Sequence, residues 1–530
     1  MAKKQTPIIG ILSMEVRDDK TNIYAEGKCL IKFLGSKEVI DTDKISIDVP
    51  VSEKAGEIHF EEKYGKVVPG GFRLNKFKIT FNKEQVKQFD IQNKIIVNYK
   101  DKYLGRFLFS MLDWKKGKNK NSKVFIDDKV AIYFRQNRYN SLVLTVRDVN
   151  QYDYPAGQER IKKAFENSKQ LRNQDIVLMY EKNCSRYEES ASVLYEKMID
   201  AGYKNVYYVV NFDNPAIQKI DQKYRANLIE KDSDKHLEYF FASNKFISTE
   251  STEHALQLRI ASKLAMDKIN SKDLQYVFLQ HGVMYMVSLN SELRTGFRSS
   301  TLKLHKTVVS SEAEAKHFIE LAGMKADDLY ITGLAKFDRC YRHENADKII
   351  IMLTWRRWET NQARIDIEKT KYYQMIERIY NAVPDYLKEK VIILPHPLMA
   401  ERFRGKTGLG SHILMADSYD EVFRDCNLLI TDYSSIAYDA FYRGANVIFC
   451  WEELEECMKH YGEGSFLMLN ENNAFGDICM NEKEISQAVA DKYKQAQSQE
   501  YINKFKKIVE FDDGKNSERI IEKLKQDGMI

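Results

Sequence analysis

The sequence is short of paired cysteines and of long apolar runs, and both shortages narrow the class of protein. Its 530 residues include seven cysteines, an odd number without a Cys-x-x-Cys pair, which argues against a disulfide framework or a zinc site. No stretch approaches the about 20 apolar residues that span a bilayer. No apolar segment follows the N-terminal residues as a signal peptide would require. We therefore expect a cytoplasmic protein that at most lies on a membrane surface.

A strong charge imbalance and a dinucleotide-binding motif are also missing. The 82 basic and 77 acidic residues leave a net charge of +5, too small to indicate a nucleic-acid partner. The Gly-x-Gly-x-x-Gly fingerprint is absent, so a dinucleotide cofactor is not indicated. The acidic residues around Ser418 lack further ligand types nearby, and we interpret this segment as a helix cap. We expect neither a cofactor nor a metal.

The pattern of apolar and polar residues changes twice along the chain, which suggests three domains. The length suggests the same number, at about 150 residues per domain. Residues 1–150 contain short β-branched and aromatic segments separated by turns, which predicts a small all-β accessory domain. Continuous apolar strands then alternate with helices over residues 168–342 and again over 346–530. This pattern is typical of parallel sheets covered on both faces. We predict an α/β protein with two Rossmann-like domains facing a cleft.

Two histidines follow predicted strands, where open α/β sheets bind their ligands. His281 comes directly after the strand 276–279 and precedes Gly282, which allows close approach of another group. His396 lies between two prolines after the strand 391–394. Histidine is the usual general base near neutral pH. A hydrogen-bonded structural histidine and a rigid turn are the alternative interpretations.

Polar residues follow two further strands and favour a phosphate site. The run Thr431–Ser435 precedes a predicted helix, so its serine hydroxyls and the first backbone N–H groups suit a diphosphate. Ordinary capping by serine is the alternative. Thr354 and Arg356 follow the strand 349–353, and an arginine offers a bidentate phosphate contact or simply a solvated charge. A capping box, Ser311 to Glu314, opens another predicted helix.

The motifs form an ordered set that resembles the CDP-glycerol glycerophosphotransferase family of teichoic-acid primases and polymerases. The resemblance covers about residues 170–490 and rests on the whole series rather than on any member. The series comprises His281-Gly282, Gly333 to Asp338, Thr354-Trp355-Arg356, His396-Pro397 and Thr431-Asp432-Tyr433-Ser434-Ser435. Departures are Gln280 before the first histidine, and Ala335 and Lys336 where relatives carry Pro-Arg. Lysine keeps the charge but loses the planar fork of arginine.

The resemblance implies a metal-independent GT-B fold that uses CDP-glycerol or CDP-ribitol and releases CMP. It implies that His281 and His396 are the catalytic pair. It assigns donor binding to Thr354, Arg356, Pro397, Thr431, Asp432, Ser434 and Ser435, with Gly282, Lys336, Asp338 and Ser418 in support. The expected acceptor is a lipid-linked polyol phosphate or glycan of a teichoic acid or capsule, at the inner face of the cell membrane. The resemblance leaves a homo-oligomer open.

Two other functions remain compatible with the sequence. One is a GT-B glycosyltransferase that uses a CMP-sugar, since His-Pro and Ser-Ser motifs also occur there. The other is a polymer-binding protein with a spent site, although the intact histidines argue against it. The basic residues between Arg294 and Lys306 could face anionic lipid, or they form an ordinary solvated surface.

Overall fold

The structure is a computed structural model of the chain, and its residues fall into two compact units. One unit consists of Met1–Glu166 with Arg259–Ile269, and the other of Asn167–Leu258 with Asn270–Ile530. The structure describes residues 6–34, 39–49, 56–87, 89, 92–100, 102–109, 123–127, 129–136, 141–289, 303–359, 362–363, 366–396, 400, 402–403, 409–416, 418–462 and 464–530.

The first unit is built mainly from antiparallel strands. Two sheets are present among its described residues, in the orders β3-β8-β9-β1-β2-β6-β4, with β5 beside β6, and β10-β11-β12-β7; only β1 and β9 pair in parallel. The strands are β1 (Thr6–Asp18), β2 (Asn22–Leu34), β3 (Ile45–Asp48), β4 (Gly56–Phe60), β5 (Lys66–Val68), β6 (Phe72–Asn82), β7 (Gln92–Lys94), β8 (Ile96–Tyr99), β9 (Lys102–Phe109), β10 (Phe125–Asp127), β11 (Val130–Gln136) and β12 (Leu142–Asp148).

Side chains from both sheets of this unit share one core. Phe77, Ile79 and Phe81 alternate along β6, so all three point to the same buried face. The ring of Phe81 lies 6.1 Å from that of Phe134 on the other sheet. The predicted β character of the N-terminal region is confirmed. The predicted boundary at residue 150 stays a prediction, because the compact unit runs on to Glu166 and includes Arg259–Ile269.

The second unit contains two parallel sheets. The first has the order β15-β14-β13-β16-β17-β18-β19, and the second has the order β21-β20-β22-β23-β24. The strands are β13 (Val177–Tyr180), β14 (Val206–Val210), β15 (Leu228–Glu230), β16 (Lys245–Ser248), β17 (Gln275–Phe278), β18 (Leu304–Val309), β19 (Leu329–Ile331), β20 (Lys348–Ile351), β21 (Val391–Ile393), β22 (Cys426–Thr431), β23 (Asn446–Cys450) and β24 (Asp477–Cys479).

Helices connect these strands, and their amphipathic faces cover the sheets. The helices are α1 (Lys83–Val86), α2 (Pro155–Ser168), α3 (Ser190–Asp200), α4 (Pro215–Lys219), α5 (Gln222–Arg225), α6 (Asp234–Ala242), α7 (Lys263–Ile269), α8 (Glu312–Ala322), α9 (Lys371–Ala382), α10 (Tyr419–Arg424), α11 (Ile436–Tyr442), α12 (Leu454–Tyr461), α13 (Glu482–Lys492), α14 (Gln499–Lys506) and α15 (Asn516–Gln526).

The inner strands of both parallel sheets are buried on both faces. Every residue of β13 is buried, as is every residue of β22, so each strand is a continuous apolar run with few polar interruptions. The α/β class is therefore confirmed. The division into Rossmann-like domains 168–342 and 346–530 stays a prediction, because both sheets belong to one compact unit.

The helix α15 follows the second sheet in the chain but packs against the first. The Asp338 carboxylate accepts hydrogen bonds from the backbone N–H of Asn516 at 2.9 Å and of Ser517 at 2.7 Å. These N–H groups open α15 and have no partner within the helix, so a carboxylate stabilises them. Gly333, at φ 79°, leaves room for Asn516, whose Oδ1 would lie 2.2 Å from a Cβ placed there. Asp338, predicted to support the site, therefore secures this helix.

Candidate active site

The loop after β17 presents His281 at the end of its strand, as the sequence predicts. Gln280, directly before it, has φ 60°, a left-handed conformation that is rare for a residue with a side chain. Its amide nitrogen donates to the Val308 carbonyl at 2.5 Å and to Glu314 at 3.3 Å. Such strain persists only where the surroundings enforce it, and it often marks functional sites. The buried Gln280 therefore holds the exposed His281 in a defined position.

A buried carboxylate, Glu314 of α8, fixes the other end of the same loop. Its oxygens accept from the backbone N–H of Met284 at 2.7 Å, and from the N–H and hydroxyl of Ser310 at 2.6 and 2.7 Å. The Ser311 hydroxyl accepts from the Glu314 N–H at 3.1 Å, as in the predicted capping box. The Glu314 side chain, however, serves Ser310 and the His281 loop. Burial raises the pKa of Glu314 despite these hydrogen bonds.

We expect Glu314→Gln to lower turnover strongly while leaving the affinity for the donor unchanged. The amide would place an N–H₂ group against backbone N–H donors, so the loop must move, and misplacement by about 1 Å can cost about 100-fold in rate. Steady-state kinetics should show a lower kcat at unchanged KM for the donor. The control is Glu312→Gln on the exposed face of the same helix. A kcat within twofold of the control would contradict the positioning role.

The His281 loop lies directly against the start of α11, which follows the second sheet. A Cβ placed on Gly282 would lie 3.1 Å from the Ser435 hydroxyl oxygen, so glycine allows this close approach. The Tyr438 hydroxyl donates to the Tyr285 carbonyl at 2.8 Å. Two motifs that are more than 150 residues apart in the sequence, one from each parallel sheet, thus meet.

Lys336 joins the same two elements through charge. Its ammonium donates to the His281 carbonyl at 3.1 Å and pairs with Asp439 of α11 at 2.6 Å. Glu189 lies 3.5 Å from Lys336 and 3.1 Å from Lys182, and so bridges the two cations. Lys336 is only 8% exposed, and two carboxylates and one carbonyl oxygen lie near its ammonium. Lys336 therefore forms a structural ion pair.

These charges set the ionisation of His281 and Glu189. His281 reaches solvent, but the protein packed around its ring desolvates it and lowers its pKa. The Lys182 and Lys336 charges lower this pKa further, against the opposing effects of Glu189 and Glu250. Burial acts to raise the pKa of Glu189, but Lys182, Lys336 and His281 together outweigh it and hold this pKa at about 2. His281 is thereby kept as a neutral imidazole near pH 7, the form that can accept a proton.

Ser434 and Ser435 are half-buried residues at the start of α11, next to the His281 loop. The Ser435 side chain makes no capping hydrogen bond to the helix, and Ser434 accepts only a long one of 3.4 Å from the Ile436 N–H. Capping therefore does not account for both hydroxyls. Their position beside Gly282 suits contact with a ligand at His281.

Thr354, Arg356 and Asp432 form a buried network behind the serines. Asp432 accepts from the N–H and hydroxyl of Thr354, both at 2.8 Å, and pairs with Arg356 at 2.6 Å. The other guanidinium nitrogen lies 3.2 Å from Glu453. Arg356 is 1% exposed. The expected contact between Arg356 and a donor phosphate does not fit this geometry, because the guanidinium is buried and already paired with two carboxylates. The network instead holds the Thr431–Ser435 segment in place.

The remaining predicted residues lie at the ends of the second sheet. The Thr431 hydroxyl is buried and donates to the Met352 carbonyl at 2.6 Å. The His396 N–H donates to the Tyr372 hydroxyl at 3.1 Å, and its ring stacks on Trp355 at 5.7 Å between centroids. Ser418 caps α10 as predicted, accepting from the Glu421 N–H at 3.4 Å. Pro397 and the basic residues Arg294 and Arg298 lie outside the described residues.

The structure thus brings together His281, Gly282, Lys336, Ser434 and Ser435. His396 stacks on Trp355 at the end of β21, and its expected pairing with His281 stays a prediction. Thr354, Arg356 and Asp432 form the buried network, Thr431 is buried at the end of β22, and Asp338 lies at α15. Sequence reasoning missed Lys182, Glu189, Glu314 and Asp439. The capping box pointed to Glu314 but to a different partner, and nothing in the local sequence distinguishes the other three.

Two features are absent from the ranges that the structure describes. Within them, no group of three or more histidine, cysteine, aspartate or glutamate side chains is arranged to hold a metal ion. Among the helices that the structure describes, none combines the length and apolar character needed to cross a bilayer.

Comparison with protein families decides the assignment. The family model described as CDP-glycerol:poly(glycerophosphate) glycerophosphotransferase matches residues 163–526, which include both parallel sheets. The chain belongs to this family of transferases. The resemblance inferred from the ordered motifs is therefore confirmed, and the match leaves out nearly all of the β-rich N-terminal region.

One curated relative of this glycerophosphotransferase family member is the minor teichoic acid biosynthesis protein GgaB of Bacillus subtilis (strain 168). The two are 24% identical over 302 residues, which cover 52% of this chain and 32% of that protein. The match thus spans about a third of the relative's length.

Solved structures with a similar arrangement include the wall teichoic acid polymerase TagF. It shares 16% identity and a TM-score of 0.49, over 71% of this chain and 98% of that one. The UDP-GlcNAc 2-epimerase from Methanocaldococcus jannaschii shares 11% identity and a TM-score of 0.38, over 66% of this chain and 99% of that one.

Proposed function

We propose that this chain transfers glycerol phosphate, or a related polyol phosphate, from a CDP-polyol to a hydroxyl of a teichoic-acid or capsule-type acceptor, releasing CMP. The family assignment supports the class of reaction. The observation that carries the proposal is the contact between the His281-Gly282 loop and Ser435, because it joins a proton acceptor to hydroxyls suited to a phosphate. We further propose that the two parallel sheets form a GT-B-like pair facing this site.

In the proposed reaction the acceptor hydroxyl attacks the β-phosphorus of the donor. His281 takes the hydroxyl proton as the new P–O bond forms, and the bond from the β-phosphorus to the bridging oxygen breaks. The bridging oxygen leaves on CMP with the negative charge. Ser434 and Ser435 donate hydrogen bonds to the donor's phosphates, where preorganised donors are most effective. His396 contacts the departing nucleotide, and no cofactor or metal takes part.

One experiment separates this proposal from its alternatives. The full chain is incubated with CDP-glycerol, CDP-ribitol or a CMP-sugar, in each case with a lipid-linked acceptor, and CMP release is measured. We expect release from a CDP-polyol that depends on the acceptor. CMP release from the CMP-sugar, and from neither CDP-polyol, would support the glycosyltransferase alternative. Binding of a CDP-polyol without turnover on any acceptor would support a spent, polymer-binding protein.

We expect Ser435→Ala to weaken binding of CDP-glycerol about tenfold, since a hydrogen bond to a charged group contributes about 1.5–3 kcal/mol. Because this hydroxyl makes no capping bond, the thermal midpoint should hardly change. Titration calorimetry measures the affinity. The matched control is Ser498→Ala, whose hydroxyl caps α14, and which should cost stability without affecting donor affinity. Unchanged donor affinity in Ser435→Ala would remove the serine from the site.

The pH dependence follows from the lowered pKa of His281. The base works as the neutral imidazole, so lowering its pKa moves the loss of activity to more acidic pH. We expect kcat/KM to stay level at neutral pH and to fall only below the ordinary histidine value of about 6.5. Lys182→Met removes a charge that lowers this pKa and should shift the acid limb upward, whereas Lys316→Met on the exposed face of α8 should not. An acid limb unmoved by Lys182→Met would contradict the assignment.

We place the reaction at the cytoplasmic face of the cell membrane, with the chain as a peripheral protein. The acceptor is proposed to be lipid-linked, which requires the site to work beside a membrane surface. The expectation of no nucleic-acid partner and the option of a homo-oligomer remain predictions.

A further inference from the structure

A second cavity lies beside the proposed transfer site. It has a volume of about 400 Å³ and is formed by the segment before α3, the segment Asn214–Asp221, Arg339, and α10 with its cap. Arg186 and Asn214 lie past the carboxyl ends of β13 and β14, where open α/β sheets bind ligands. The cap residue Ser418 lines this cavity, whereas His281 and Ser435 do not.

Shared lining residues connect the cavity to the surroundings of the His281 loop. A smaller pocket of about 50 Å³ shares Glu188, Arg339 and Asp420 with it and extends to Lys336. Lys336 donates to the His281 carbonyl at 3.1 Å. In the sheet, β13 and β14 are two and three strands from β17. At about 4.8 Å per strand, the cavity lies roughly 10–14 Å from the His281 loop.

The charges that line the cavity are balanced. Nine charged residues contribute, four basic and five acidic. Six of them are paired across the lining: Lys219 with Glu421 at 3.4 Å, Arg339 with Glu196 at 3.4 Å, and Arg424 with Asp420 at 2.6 Å. A phosphodiester has only acceptor oxygens and a negative charge, and a lining with one more acidic than basic residue offers that charge no net attraction.

Unpaired hydrogen-bonding groups remain in the same lining. Within the described residues, Arg186 makes no ion pair, and the 6%-exposed Tyr187 has a hydroxyl without a hydrogen-bond partner, although Glu196 lies nearby. Glu188 supplies acceptor oxygens beside the donor groups of Arg186 and Tyr187, and burial together with the adjacent Glu189 raises the pKa of Glu188. Hydroxyl groups both donate and accept, so they match this lining.

We propose that this cavity binds an uncharged, hydroxyl-rich residue of the acceptor, a glycosyl unit, behind the end that receives the phosphate. The apolar side chains of Pro215, Ala216 and Ile220 supply a surface for the C–H face of a sugar ring. The identification of the bound sugar as part of the acceptor rests on the proposed function. The preference of the cavity for a neutral sugar over an anionic one does not.

The test uses a matched pair of probes, methyl β-glucoside and its 6-phosphate, with the full chain and saturation-transfer NMR. We expect the neutral glycoside to bind in the millimolar range and its 6-phosphate at least about tenfold more weakly, because only the phosphate adds charge. Arg186→Ala and Glu188→Ala should each weaken the neutral glycoside about tenfold. Arg172→Ala and Glu344→Gln, both exposed and outside the cavity lining, are the controls.

Several results would overturn the proposal. These are tighter or equal binding of the 6-phosphate, no binding of the neutral glycoside at tens of millimolar, and binding that both cavity variants leave unchanged. Arg186→Ala alone decides the point if Glu188→Ala lowers the thermal midpoint. The experiment involves no donor and no turnover. Absence of CMP release would therefore count against the proposed reaction alone, and failure to bind the glycoside against this cavity alone.

Discussion

Replacing His281 by alanine is expected to lower turnover with a CDP-polyol at least about 100-fold, the scale on which general bases contribute. That loss corresponds to about 2.7 kcal/mol in the activation barrier. The imidazole is exposed at its strand end, so its removal leaves the buried supports Gln280 and Glu314 in place. Donor affinity should therefore survive. Stopped assays of CMP release, with calorimetric titration of the donor, measure the two effects separately.

The control for this prediction is His343→Ala. His343 is also solvent-exposed, and its imidazole lies 2.8 Å from Asp425, away from the His281 loop. Its removal should change neither turnover nor donor affinity. Turnover of the His281 variant within a few-fold of the unaltered chain would eliminate the general base and leave the proposed mechanism without its proton acceptor.

Replacing Arg356 by methionine is expected to produce a large loss of stability, about 3–5 kcal/mol. Removing one partner of a buried ion pair leaves the other charge uncompensated. Here Asp432 would lose its arginine, and Glu453 would keep only Arg378, at 3.9 Å. Burial already raises the pKa of Glu453, so this carboxylate tolerates the loss poorly. The unfolding midpoint should fall by about 4–7 °C, and donor binding should weaken because the Thr431–Ser435 segment loses its support. Calorimetry measures the midpoint.

Lys223→Met provides the comparison. Lys223 also forms an ion pair, with Asp200 at 2.7 Å, but the two side chains are 53% and 43% exposed. An exposed pair contributes about 0–1 kcal/mol. Asp432→Leu, alone and together with Arg356→Met, completes a cycle that isolates the coupling between the two charges. Equal effects of Arg356→Met and Lys223→Met would show that the buried network does not support the site.

Local sequence patterns predicted the elements of the fold well because apolar continuity is itself local. Gly444 predicts a helix end in the sequence, and α11 ends at Tyr442 before this glycine, which has φ 91°. The apolar pattern predicts a helix from about Glu188, but α3 begins at Ser190, because Glu188 and Glu189 donate their N–H groups to the buried Glu181. Such shifts arise from contacts that the local pattern does not contain.

In the site, too, local sequence predicted some features, and long-range contacts decided the others. The rule that ligands bind past strand ends located His281 and Ser435 correctly as neighbours in space. The same rule placed Arg356 on the ligand, whereas Asp432, 76 residues further along, pairs with it in the interior. Residue type also could not show that Lys336 would find Asp439 or that Glu314 would hold the loop after β17. Each of these pairings depends on long-range packing rather than on spacing.

The packing of α15 against the first parallel sheet has a consequence for how the protein is made. During synthesis the seven strands of that sheet emerge first, but a helix that caps onto Asp338 emerges only after the whole second sheet. Ile520 and Leu524, both fully buried, reach their neighbours last. A fragment that stops near residue 342 would expose the surface they cover. The first sheet therefore cannot be produced in its complete form without α15. A fragment that ends near residue 342 should tend to aggregate.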